Sequence, residues 1–83
     1  MKITANGKTY ECDYAYAPTR RGECVIKLTG DDRPLSVIAA EFEGVDTIHA
    51  IDPHVGEADY NGYTMLTRIS RDERGVTIIL VKG

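Results

Sequence analysis

The chain has 83 residues, of which 28% are charged, and carries a formal net charge of −3. That length holds one domain, and because a chain of this size buries only about 60 to 65% of its unfolded surface, its core is marginal and association with further copies would add to it. The acids and bases are scattered without a run of either sign, no apolar stretch of ~18 residues could span a bilayer, and no basic-then-apolar leader opens the chain, which argues against a nucleic-acid role, a membrane role and export.

Lys2 to Ala5 and Lys8 to Tyr16 flank Asn6-Gly7, the dipeptide best suited to the positive φ angles of a type I′ hairpin turn. In the second of these strands Tyr10, Cys12, Tyr14 and Tyr16 fall on one face by alternation, so the tyrosine face is expected to look inward. A loop at Ala17 to Gly22 leads to Glu23 to Thr29, where Cys24, Ile26 and Leu28 alternate with Val25, Lys27 and Thr29. This reads as a third antiparallel strand.

The period changes after Gly30. Leu35, Ile38, Ala39 and Phe42 fall at the spacing of one helical face, which predicts a helix of two to three turns. Asp31 or Asp32 is the expected N-cap, Pro34 falls in the first turn and Gly44 supplies the left-handed residue at the end. Ser36, Glu41 and Glu43 are expected to be exposed. Val45 to Asp52 reads as a fourth strand, turned by Pro53 to Gly56.

Asn61-Gly62 is either a second hairpin turn or a bulge within one long strand. The bulge is favoured, because Glu57 to Tyr60 alone would be a very short strand with little apolar content. The last hairpin runs from Tyr63 to Arg71, through Asp72-Glu-Arg-Gly75, into Val76 to Lys82. Its final strand is apolar on both faces, with Val76, Ile78 and Leu80 on one side and Ile79 and Val81 on the other. One helix cannot cover both.

No constellation of residues names a chemistry. Cys12 and Cys24 stand in alternating apolar patterns and are expected to be reduced and buried. His49, Asp52, His54, Glu57 and Asp59 are the types used in metal and acid–base sites, yet on a strand His49 and Asp52 face opposite sides and His54 follows a proline in a turn. No metal or cofactor is therefore expected, no nucleophile stands beside a base, and a chain this small leaves little room for a pocket of ~300 Å³. Arg20-Arg21, approached by Tyr14 and Tyr16, could dock a carboxylate, a phosphate or an acidic partner surface, or be an ordinary solvated loop. Arg68, Arg71 and Arg74 lie near Asp72 and Glu73, which neutralise them.

Ile3 to Tyr10, Leu35 to Glu43 and Tyr60 to Asp72, with its GYTxLxxIxRD pattern, together with the closing strand Val76 to Lys82, resemble small proteins encoded in tail-module regions of bacteriophages and prophages of gut Firmicutes. The resemblance covers most of the chain. It implies a virion or assembly component that acts by self-association and docking to other phage tail or host proteins, and it implies no site residues. The expected location, given that no leader opens the chain, is the bacterial cytoplasm or the virion.

The expected architecture is α+β, a mainly antiparallel sheet of five to six strands with one short helix in the order β-β-β-α-β-β-β. The expected function is non-enzymatic, a small structural or adaptor protein forming homo-oligomers through Ile51, Leu66, Ile79 and Val81. The alternative is a module that captures a peptide or protein at a sheet edge, and a small enzyme subunit comes third.

Overall fold

The computed structural model describes residues 1–17 and 22–83. Seven strands and one helix follow one another as β1 (Lys2–Ala5), β2 (Lys8–Tyr16), β3 (Glu23–Leu28), α1 (Leu35–Phe42), β4 (Thr47–Asp52), β5 (Gly56–Asn61), β6 (Met65–Asp72) and β7 (Gly75–Val81). They form a single sheet in the order β5-β4-β1-β2-β3-β7-β6, in which every neighbouring pair is antiparallel.

The α+β class with one short helix is as expected, but the sheet has seven strands where five to six were predicted. The extra strand is β5. Asn61-Gly62 ends it instead of bulging through, Gly62 adopting φ +81°. Glu57 to Tyr60, too polar to count as a core strand, is stabilised by unbroken pairing with β4, from Thr47 opposite Asn61 to Asp52 opposite Gly56. Ladder hydrogen bonds make a strand here with only Tyr60 packing against the core.

β2 is the joint of the sheet. Its first half, Lys8 to Glu11, pairs with β1, and its second half, from Cys12 to Tyr16, pairs with β3. The register slips between Cys12 and Tyr14, and a bulge of this kind bends and twists the strand that carries it. The bend curls the sheet strongly. β5 lies three strand positions from β2, about 14 Å across a flat sheet, yet the Tyr60 hydroxyl donates to the Ala15 carbonyl of β2 at 3.2 Å.

The concave side is the core. Ile3, Tyr10, Cys12, Ala15, Cys24, Ile26, Leu28, Ile48, Ala50, Val76, Ile78 and Leu80 reach it from the strands, and Ile38 and Phe42 reach it from α1. The rings of Tyr10 and Phe42 stand 4.9 Å apart at 42°, a tilted aromatic contact. α1 packs against β6, and the Gly44 amide just beyond it donates to the Thr64 carbonyl at 3.1 Å.

The Asn6-Gly7 turn is as expected, with φ +51° and +78°. The helix start differs. Pro34 occupies the N-cap position without a side-chain cap, and Asp31 instead turns its carboxylate onto Arg33. Among the described residues no helix is long and apolar enough to cross a membrane.

Candidate functional site

The two apolar faces of β7 meet different surroundings. Val76, Ile78 and Leu80 are fully buried, while Ile79 and Val81 face outward and are half-buried. The registers of β3, β7 and β6 lay neighbours beside them in rows. One row runs Tyr16–Val25–Ile79–Arg68, a second runs Tyr14–Lys27–Thr77–Ser70, and a third runs Glu23–Val81–Met65.

Two bulges set this outer face. At the β2 bulge Asp13 is the extra residue, so the alternation that buries Tyr10 and Cys12 resumes one residue late at Ala15. Tyr14 and Tyr16 are thereby turned out, against the expectation of a single inward tyrosine face. They are 38% and 48% exposed, with ring centroids 5.6 Å apart. In β6 the register shifts between Leu66 and Arg68, where the Thr67 hydroxyl donates to the Ile79 carbonyl at 3.2 Å. This brings Arg68 out beside Ile79. Met65, 53% exposed, extends the apolar area to the sheet edge.

A second concentration of groups lies where the segment Gly30 to Arg33 meets α1. The Glu41 carboxylate accepts hydrogen bonds from Lys8 Nζ at 2.7 Å, Tyr10 OH at 2.8 Å and Arg33 Nη1 and Nη2 at 2.8 and 2.9 Å. Arg33 also holds Asp31 through Nε and Nη2, and Arg71 of β6 donates to the Asp31 and Arg33 carbonyls. Against the expectation that so small a chain leaves little room for a pocket, a groove of about 580 Å³ opens beside this knot between the hairpin and the segment before the helix, lined by Lys8, Thr9, Glu11, Leu28, Asp31 and Arg33 among others.

The electrostatics follow from the donors. The Arg33 guanidinium, Lys8 and Tyr10 hold the Glu41 carboxyl down at about 2, and Arg33 keeps Asp31 below the usual carboxylate range. Burial, reinforced by the Glu41 carboxylate, pushes the Tyr10 hydroxyl well above its ordinary value. A carboxylate held by four donors is a poor proton acceptor. Glu41, expected to be an exposed helix residue, instead ties α1 to the β1–β2 hairpin and to the segment before the helix.

The histidines do not converge. His49 pairs with Asp59 and faces Glu57 on the outer side of β4 and β5, and the Asp59 carboxylate raises its pKa. His54 lies in the following turn, where its amide donates to Asp52 at 2.8 Å. Among the described residues no group of three or more His, Cys, Asp or Glu side chains could hold a metal ion. Cys12 and Cys24 are free and buried, as expected, and burial raises both thiols, Cys24 to about 12. Such thiols stay protonated and are weak nucleophiles at neutral pH.

Of the residues proposed for self-association, Ile79 and Val81 share the outer face with Tyr14 and Tyr16. Leu66 does not. It pairs with Leu80 and packs against the core. Ile51 is 41% exposed but belongs to β4, three strand positions from β3, beside Lys2 and its ion pair with Glu11. Arg20 and Arg21 lie outside the described residues. Arg68, expected to be neutralised by Asp72 and Glu73, stands instead beside Ile79, while Asp72 holds Lys27. The place of Arg68, Val25, Lys27 and Met65 on this face depends on cross-strand register and on bulges that alternation within one strand does not report. No family model, curated protein or solved structure matches the chain.

Proposed function

We propose that this chain is a non-enzymatic structural or adaptor domain, a phage-type assembly component that works by self-association and protein docking. The observation that carries the reading is the outer face of β2, β3, β7 and β6, where Tyr14, Tyr16, Val25, Ile79, Val81 and Met65 adjoin one another across the strands. Aromatic, aliphatic and methionine side chains gathered beside an arginine have the composition of an interface centre. The groove beside Glu41 supports the same reading, since Asp31 and Glu41, two of its carboxylates, are held by Arg33, which ties the segment before the helix to α1.

Sedimentation velocity at tens of micromolar tests it. The wild type is expected to sediment as a dimer or larger species, and Ile79→Glu and Val25→Glu as monomers with unchanged circular dichroism. A monomeric wild type would overturn the reading.

The outer edge of β5, unpaired among the described residues, favours a second reading, capture of an extended peptide. Its pairing with β4 is unbroken over six residues and all of them but Tyr60 are exposed, which leaves a regular template for another strand. A second copy does not fit there. Antiparallel pairing about Ala58 would set Glu57 against Asp59 of the other copy, like charge on like. Slower amide exchange along β5 on adding a decapeptide of alternating Lys and Thr to monomeric protein would favour this reading over the first.

A further inference from the structure

We infer that two copies of this chain pack face to face about a two-fold axis that runs parallel to the strands between β3 and β7, so that Tyr16 of each copy lies on Arg68 of the other. The inference rests on self-association through the outer face and adds its geometry.

The argument starts from the central row, Tyr16–Val25–Ile79–Arg68. It carries an aromatic ring at one end, a guanidinium at the other and aliphatic side chains between. A dimer interface with two-fold symmetry is self-complementary: where one residue meets a second residue of the partner, that second residue meets the first in return, and only residues on the axis meet their own images. Two in-plane axes respect the direction of the strands. An axis across the strands sets each strand on its own image, bringing Arg68 onto Arg68 and Tyr16 onto Tyr16. That arrangement opposes two positive charges inside an apolar contact, and desolvating them without a partner is costly.

The axis along the strands exchanges β2 with β6 and β3 with β7 while leaving each row in place. Val25 then meets Ile79, and each guanidinium meets a tyrosine face twice per dimer, a cation–π contact that strengthens as water leaves. The flanking rows agree. Tyr14 meets Ser70 and Glu23 meets Val81, with no like charges opposed. Arg68 and Tyr16 are both exposed, and each is presented outward beyond a bulge at the edge of the patch.

Cross-linking separates the arrangements. Packed sheets lie ~10 Å apart, and Tyr16 and Arg68 of one copy stand three strand spacings, about 14 Å, from each other. A bis-maleimide of ~10 Å reach is expected to join Tyr16→Cys to Arg68→Cys in an equal mixture at least tenfold faster than it joins either variant to itself. The native thiols are buried and stay silent. Arg68→Glu is expected to weaken the dimer about tenfold, and adding Tyr16→Arg in the same chain to restore it, because a guanidinium on β2 of each copy then meets a carboxylate on β6 of the other. Equal cross-linking of Tyr16→Cys with itself, or a swap that weakens the dimer further, would overturn this geometry while leaving self-association standing. A monomeric wild type in the same buffer would overturn both.

Discussion

Lys27 stands on the outward face of β3 yet is only 4% exposed, and its ammonium lies 2.6 Å from the Asp72 carboxylate at the end of β6. It also donates to the Thr77 hydroxyl at 3.1 Å. A lysine is tolerated at such a site because its long stem can lie along apolar surface while the charged end reaches a partner. Asp72 is held below its usual range by that ammonium and by the Arg74 and Gly75 amides, so one carboxylate serves both the outer face and the β6–β7 turn.

Two replacements of Lys27 therefore have unequal effects. Lys27→Met keeps the stem and removes the charge together with its need for a partner, and is expected to cost less than ~1 kcal/mol. Lys27→Ala also empties the space of the stem and is expected to cost ~1 to 3 kcal/mol. Urea unfolding midpoints measure both. A loss for Lys27→Met as large as that for Lys27→Ala would show that the charge, and not the packing of the stem, stabilises this face.

Acid should release the helix. Glu41, Asp31 and Asp72 all have folded-state values below their unfolded ones. Their contribution is thus complete above the unfolded carboxylate range of about 4 to 4.5 and is lost as pH falls through the folded values, for Glu41 down to about 2. His49 acts with the opposite sign, its raised value adding stability at low pH that fades as pH rises through the folded pKa. Melting temperature is expected to drop steeply below pH 4.5, and Glu41→Gln, costing ~1 to 3 kcal/mol at pH 7, to flatten that drop. An unchanged acid profile in Glu41→Gln would assign the acid sensitivity to other carboxylates.

Two turn glycines separate steric from conformational cost. A methyl group at Gly75, where φ is +145°, would lie 1.9 Å from the Leu28 carbonyl oxygen, and backbone cannot yield as a side chain does. Gly75→Ala is expected to cost on the order of 2 to 4 kcal/mol. At Gly7, φ +78°, nothing lies within 4 Å of such a group, so Gly7→Ala carries only the strain of the left-handed conformation, ~1 kcal/mol. Thermal melts of the two variants side by side check the order, and equal losses would remove the close approach of β7 to Leu28 from the account.

What the amino-acid order by itself determined is local. The Asn6-Gly7 turn, the helix from Leu35 to Phe42, the last hairpin and the two buried cysteines each follow from neighbours a few residues apart, because turn dihedrals and the helical period are short-range properties. Everything that depends on pairing between distant strands waited for the tertiary structure. Gly56–Asn61 is a strand because β4 offers it hydrogen bonds. Tyr14 and Tyr16 face outward because the single extra residue Asp13 shifts a two-residue period by one step. Glu41, by periodicity a solvent-facing helix residue, is drawn into a four-donor knot by Lys8, Tyr10 and Arg33, which only the curled sheet and the turn before α1 bring within its reach.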